Sequence, residues 1–405
     1  MNANLNFCQI ITFYLIIICV VLFKIDDVKK IIEEKIQEIN ESFSEEKYKN
    51  EEKIDNFEEL KKDENETRPR RKVILIVTFM RSGSTFLGEM FNNHEDAFYI
   101  FEPLHPLSQF GFSKTYLNER LKILKNNLNC NFEDQYDITI PWKSFKNDEM
   151  ELAETLDKRG DFIFRSKHRR LCAPPFCARD FSNDLYSCND ECGLVDLSLA
   201  KRVCQPLISV AKTIRFVEIE LLQQMAEENN LDLKLMFLAR DPRGILESRV
   251  KIYGIIYQKN ETAPFFANEK NIKAVDEVCK KTRGILENIE NSEWLKNRTL
   301  IIRYEDLAME PQTKSAEILK FAELEVNSKI VNWIDENTSA KNNLSGTYDT
   351  SRDSRKTALA WRSILDYSSI SKMQEKCAEN MKLLGYKQMS TDDPESDVLG
   401  EIKLA

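Results

Sequence analysis

Residues Arg71–Phe91 read RKVILIVTFMRSGSTFLGEMF: a basic start, a wholly apolar run, a Ser/Gly-rich turn, then apolar residues at helical spacing. Val73 to Val77 is aliphatic at every position, which suits a strand buried on both faces inside a parallel sheet. Phe86, Leu87, Met90 and Phe91 then recur as they would along one side of a helix. The turn Thr78-Phe79-Met80-Arg81-Ser82-Gly83-Ser84-Thr85 therefore joins a strand end to a helix start, where unpaired backbone N–H groups and the helix dipole favour an anion. Gly83 lets a backbone approach closely, Ser82, Ser84 and Thr85 offer hydroxyls, and Arg81 supplies a cationic fork. Taken alone, the same turn is also what a capped helix after a strand would show.

A second segment has related equipment. LKLMFLARDPRGILESR, residues 233–249, predicts a strand over Leu233–Ala239, then Arg240, Asp241 as N-cap and Pro242 at the first helical position, with Ser248 and Arg249 two turns in. Arg240 and Ser248 are placed to bracket a second phosphate; the competing reading is that Arg240, Arg243 and Asp241 form surface ion pairs of little worth. With Val73–Phe79 and Thr299–Arg303 as further strands, each followed by a helix-like stretch, the pattern is α/β around a parallel sheet. Such sheets bind ligands at the carboxyl ends of their strands.

Composition sets the frame. A chain of 405 residues with 42% hydrophobic content has ample material for a core, and its net charge of −9 argues against a general nucleic-acid binder. No charged side chain occurs from Met1 to Phe23, and Phe7–Phe23 is almost continuously apolar. That run reads as a retained membrane anchor spanning roughly 26 Å, since no small-residue cleavage site follows it. The layout expected is a cytosolic tail at 1–6, an anchor at 7–23, a charged stem at 24–70, a main domain at 71–390 and a tail at 391–405. Ile32, Ile36, Ile39 and Phe43 hint at a coiled coil, but the pattern fades after two heptads, which leaves a charged helical or disordered spacer. Sequons at Asn40, Asn65, Asn260, Asn297, Asn337 and Asn343, with eight cysteines beyond the anchor, place the body on the lumenal side.

The pair RSGST and RDPRGILESR resembles the 5′-phosphosulfate loop and the 3′-phosphate motif of sulfotransferases that use 3′-phosphoadenosine 5′-phosphosulfate (PAPS). RSGSTFLGEMFNNHEDAFYIFEPLH, AKTIRF, LARDPRGILESR, IRYEDLAMEP and ALAWRSIL followed by LLGY resemble the Golgi galactose/N-acetylgalactosamine/N-acetylglucosamine 6-O-sulfotransferase family. They fall in that family's order from Arg71 to Lys387. The resemblance implies the sulfotransferase fold, a P-loop-type parallel sheet flanked by helices. Arg81, Ser82, Gly83, Ser84 and Thr85 would hold the 5′-phosphosulfate, and Arg240 and Ser248 the 3′-phosphate. No metal is expected.

Glu102, just after the apolar FYIF, is the favoured base for an acceptor hydroxyl; His105, one residue nearer than in the family wording, is the alternative. A structural carboxylate paired with Lys212 or Arg215 is the competing reading for Glu102. Lys212 and Arg215, in AKTIR, match a family Lys-x-x-Arg at a strand end and would contact sulfonate or acceptor. Arg352 and Arg355 would close over the nucleotide from a C-terminal basic loop. His94 and His168 have no metal-ligand spacing, and read as solvated or structural. The cluster Cys172, Cys177, Cys188, Cys192 and Cys204 does not match common zinc modules; with Cys130, Cys279 and Cys377 it suits disulfides, in an insertion expected near the acceptor.

The expected protein is thus a single-pass type II Golgi membrane enzyme that sulfates the 6-hydroxyl of Gal, GalNAc or GlcNAc in a glycan or glycosaminoglycan. Its anchor and stem offer a route to a homodimer. The rival readings are a non-catalytic lumenal protein that binds glycan or 3′,5′-ADP, and a P-loop kinase. The kinase is disfavoured because the spacing G-x-x-x-x-G-K-[ST] is absent.

Overall fold

A computed structural model describes residues 69–403, apart from 106, 108–113, 133–166, 185–186, 189–190, 194, 258–267, 340–352 and 393–396. The expected anchor, nearly all of the stem, the sequons at Asn40, Asn65, Asn260 and Asn343, and Arg352 lie outside the described residues.

Five parallel strands form one sheet in the order β2-β3-β1-β4-β5. They are β1 (Arg71–Thr78), β2 (Ala97–Phe101), β3 (Ile208–Thr213), β4 (Leu231–Ala239) and β5 (Thr299–Arg303). The three strands expected at Val73–Phe79, Leu233–Ala239 and Thr299–Arg303 thus appear within two residues of their predicted limits. β1 lies at the centre, and its side chains alternate between two cores. Val73, Leu75 and Val77 point to one, Ile74 and Ile76 to the other, which is why the run needs apolar residues throughout.

The helices α1 (Ser84–Asn92), α2 (Leu117–Leu128), α3 (Leu197–Cys204), α4 (Leu222–Glu228), α5 (Pro242–Tyr257), α6 (Glu269–Asn291), α7 (Tyr304–Met309), α8 (Pro311–Phe321), α9 (Ser328–Thr338), α10 (Ser354–Leu359), α11 (Tyr367–Lys376) and α12 (Ala378–Leu383) cover both faces. Leu87, Met90 and Phe91 of α1 pack with Ile318 and Leu319 of α8 and Ile330 and Ile334 of α9 on the Ile74 face. Ile245 and Leu246 of α5 pack with Ile285 and Leu286 of α6 and Met373 of α11 on the Val73 face. Neighbouring strands β1 and β4 therefore send their following helices to opposite faces. A crevice opens between their carboxyl ends, where open α/β sheets bind ligands.

The described cysteines beyond the anchor pair as Cys130–Cys204, Cys172–Cys188, Cys177–Cys192 and Cys279–Cys377. Sulfurs of Cys177, Cys188 and Cys192 lie within 4.8 Å of one another because two bridges are adjacent, and each is already bonded to sulfur. The position of the insertion departs from expectation. Arg170 donates to the carbonyls of Glu95 (2.6 Å) and Ala97 (3.3 Å), and Asn92 receives the N–H of Arg169. Those partners lie at the end of α1 and the start of β2, so the described part of the insertion docks at the amino edge of the sheet, opposite the crevice. Cys130–Cys204 lies at the same edge, where the Arg71 guanidinium reaches Cys130 Sγ and Ser209 Oγ.

The expected tail also folds back. Lys387 N–H donates to Val398 O (2.8 Å), Gly400 N–H to Gly385 O (2.7 Å), and Arg303 Nη1 to Gly400 O (2.6 Å). Residues 397–403 thus form a strap beside the end of β5.

Candidate active site

The turn after β1 is built around backbone conformations that side chains resist. Arg81 has φ +75 and Gly83 φ +84. A Cβ on Gly83 would lie 2.2 Å from Tyr304 Cδ2, so glycine is required both for its torsion and for the ring packed against it. Gly83 caps α1 without a side-chain hydrogen bond, and no acidic residue stands in the first turn. The positive end of the helix is therefore left for an outside anion. Ser82 is buried, and among the described residues its Oγ has no hydrogen-bond partner.

The second segment meets the first across the crevice. Arg81 Nε donates to Ser248 Oγ at 2.9 Å, and Arg240 Nη1 donates to Arg81 O at 2.8 Å. Arg240 is only 7% exposed; its guanidinium lies 4.6 Å from the Tyr304 ring centroid, Nη2 reaches Thr357 O of α10, and Nε has no partner among the described residues. Tyr304 thus touches both segments and sets the gap between them. Ser82 and Arg240 also line one cavity, with Phe79, Thr282 and Tyr386.

Asp241 and Arg243 are not surface ions. Both are fully buried and bind side by side, Arg243 Nη2 to Asp241 Oδ2 at 2.6 Å and Nε to Oδ1 at 2.9 Å. Asp241 Oδ1 also accepts the Arg243 N–H as the expected N-cap. The Arg243 guanidinium stacks over Trp361 and reaches Gln374. Asp241 is thus paired with Arg243 and not with Arg240.

A third group lies at the ends of β2 and β3. Glu102, 3% exposed and at φ +44, accepts Lys212 Nζ on Oε1 (2.6 Å), and Arg215 Nη1 (2.7 Å) and the Ile214 N–H (3.3 Å) on Oε2. The ion pairing that competed with the catalytic reading of Glu102 is therefore present, and it engages Lys212 and Arg215 together. Lys212 also lies 4.1 Å from the Phe101 ring centroid, and burial holds its pKa below the ordinary lysine value against the pull of Glu102. His105 beside them is lowered to about 4 by burial and by Arg215 and Lys212, with Glu102 opposing, so its ring is neutral at pH 7. Phe101 pairs with Lys212 and Lys212 with Ile76, which sets β2 two strands, or roughly 10 Å, from β1 along the carboxyl edge. Lys212 and Arg215 thus share the Glu102 carboxylate at that edge.

Other expected residues lie apart. Arg355 is exposed on α10 and donates to Met309 O at 3.2 Å, although Thr357 on the same helix meets Arg240. His94 is structural: Nε2 pairs with Glu325 O and Nδ1 accepts the Asp96 N–H. His168 packs against the Phe98 ring. The residues missed from sequence are Tyr304, Glu305 and Tyr386. Glu305 accepts the Asp241 N–H (3.1 Å) and the Tyr386 hydroxyl (2.7 Å). Its carboxyl is pushed up to about 7 by burial and by Asp241, with Arg240 opposing. IRYEDL contains two of these residues and LLGY the third, but neither motif assigned them a role.

Comparison with known proteins gives one answer. The family profile described as sulfotransferase domain matches residues 70–385. Carbohydrate sulfotransferase 1 of Rattus norvegicus is 30% identical over 351 residues, covering 80% of this chain and 81% of its own. Carbohydrate sulfotransferase 3 of Homo sapiens is 31% identical over 339 residues, covering 79% of this chain and 68% of its own. Among solved structures, the sulfotransferase domain from the curacin biosynthetic pathway is 18% identical over 77% of this chain and 98% of its own, with a TM-score of 0.40.

Proposed function

The chain belongs to the sulfotransferase family, and from that premise we propose that it transfers the sulfuryl group of PAPS to the 6-hydroxyl of Gal, GalNAc or GlcNAc in a glycan or glycosaminoglycan chain. The observation that carries this reading is the joining of two anion-binding segments, through Arg81 to Ser248 and Arg240 to Arg81 O, in a buried cradle with polar atoms to spare. A donor with phosphate at both 3′ and 5′ positions needs two such segments. The residues fit it: Ser82, Gly83, Ser84, Thr85 and the start of α1 would take the 5′-phosphosulfate, and Arg240 with Ser248 the 3′-phosphate. Arg355 of α10 would join them.

The reaction balances without other reactants. The acceptor oxygen forms a bond to sulfur as the bond from sulfur to the bridging phosphate oxygen breaks; the hydroxyl proton goes to a protein base, and 3′,5′-ADP leaves. Negative charge grows on the bridging oxygen, so Arg81 and the α1 amides stabilise the transition state more than the bound donor. Lys212 stands to contact the transferring sulfonate. Glu102 is the base in this proposal, since Oε1 accepts one bond from Lys212 and has a second lone-pair direction for the incoming proton.

The apolar Phe7–Phe23 run, the sequons and four disulfides support a single-pass type II Golgi membrane protein with its domain in the oxidising lumen. Asn297 is exposed and open to glycosylation, and a homodimer through anchor or stem fits that layout. The test is transfer of labelled sulfate from PAPS by the full-length protein to keratan-type, chondroitin-type and GlcNAc-terminated acceptors, with the modified carbon mapped. Sulfate on C6 of one sugar class is expected. Binding of 3′,5′-ADP without transfer to any acceptor would favour a binding protein instead.

A further inference from the structure

We propose that Glu305, locked by Tyr386 next to the C-terminal strap, is a positioning residue for the arginine-bearing half of the donor site. The inference rests on the donor reading above. Glu305 Oε1 accepts the N–H of Asp241, and that N–H belongs to the peptide joining Asp241 to Arg240. Fixing this peptide fixes where the Arg240 side chain begins. As an N-cap amide it has no partner in the helix ladder, and it is buried, so Glu305 supplies an acceptor that water does not.

The carboxylate is itself held. Its Oε2 accepts the Tyr386 hydroxyl, and Tyr386 bridges Leu399 of the strap in an antiparallel pair. Arg303, two residues before Glu305, is tied to Asp306 and donates to the carbonyls of Leu384 and Gly400 on either side of that pair. A second tether runs in parallel: Gln374 Oε1 accepts both Arg243 Nη1 and the Met389 N–H, and its Nε2 donates to Met389 O. Tyr386 and Met389 are therefore linked, through Glu305 and Gln374, to Asp241 and Arg243 at the exit of β4, immediately after Arg240. Glu305, Tyr386, Arg303 and Gln374 lie outside both the RSGST and RDPRGILESR motifs.

The test uses full-length Glu305→Ala, Glu305→Gln and Tyr386→Phe in titrations with 3′,5′-ADP and in steady-state kinetics. Glu305→Ala and Tyr386→Phe are expected to weaken 3′,5′-ADP binding and raise the donor KM about tenfold, the scale set by one buried unsatisfied group. Acceptor KM, and kcat at saturating donor, should stay within about twofold. Glu305→Gln, which keeps an oxygen for the Asp241 N–H, should lie nearer the wild type. A fall in kcat with unchanged donor KM would mark a merely structural role and overturn the proposal. So would variants that bind 3′,5′-ADP as the wild type does. Tyr386→Phe deletes a single hydroxyl and keeps the test decisive should Glu305→Ala fail to fold. A wild-type protein that does not bind 3′,5′-ADP would overturn the donor reading, and this inference with it.

Discussion

Replacing Gly83 by alanine separates the two demands that the loop makes of that position. An L-residue held at φ +84 costs roughly 1–2 kcal/mol for the left-handed torsion alone. The added methyl would stand 2.2 Å from Tyr304 Cδ2, whereas carbon atoms rest about 3.5–4.0 Å apart, so loop or ring must yield by more than about 1 Å. Overpacking of that kind costs roughly 1–3 kcal/mol, for a total of about 2–5 kcal/mol. The ring cannot yield alone, because Arg240 stacks on it at 4.6 Å. Misplacing either segment by that distance should lower kcat/KM about a hundredfold. The assay is steady-state transfer from PAPS with Gly83→Ala, Tyr304→Ala and the double variant. Removing the ring relieves the clash and leaves the torsion, so the double variant should be less impaired than the two losses combined predict, by about 1–3 kcal/mol of coupling. Wild-type activity in Gly83→Ala, or strictly additive losses, would refute the claim that Tyr304 sets the gap between the two segments.

Arg81→Ala should cost about 3 kcal/mol in the barrier, a rate loss of a hundredfold or more, read as kcat in steady-state transfer. Glu102→Gln should abolish turnover while 3′,5′-ADP still binds by titration, with His105→Ala falling less; the reverse order would move the base to His105. Glu305 has a folded pKa of about 7 against an ordinary 4.5, so its contribution to stability is full below about pH 4.5, falls between 4.5 and 7, and is lost above 7. The difference amounts to about 3 kcal/mol, and denaturation midpoints from pH 5 to 8 should slope less in Glu305→Gln than in the wild type. Cys279 and Cys377 are 98 residues apart in sequence, so replacing both with serine should destabilise the protein by about 2–5 kcal/mol, seen as a lowered thermal midpoint.

The centre of the fold was legible because its physics is local. A strand buried on both faces must be apolar throughout, and a helix cap at positive φ calls for glycine, so Val73 to Gly83 announced both. Asp241 as N-cap and Pro242 at the helix start were readable for the same reason. Contacts between distant segments were not. Nothing in DPRG states that Arg243 will be covered by Trp361 and Gln374, more than a hundred positions later. The cysteine spacings pointed to bridges but held no information about which edge of the sheet the insertion meets. Tyr304, Glu305 and Tyr386 escaped notice because each acts on a motif far from it in sequence, Gly83, Asp241 and Glu305 respectively. The Glu102 cluster fell between these cases: sequence offered a base or an ion pair, and the geometry shows the pair without removing the carboxylate from the edge where an acceptor would stand.

The most direct test of the two-segment cradle is a crystal structure of the protein with 3′,5′-ADP bound. The account predicts the 5′-phosphate on the amides and hydroxyls of Ser82 to Thr85, and the 3′-phosphate within hydrogen-bond distance of Arg240 and Ser248. A nucleotide bound with neither phosphate on these residues would contradict it.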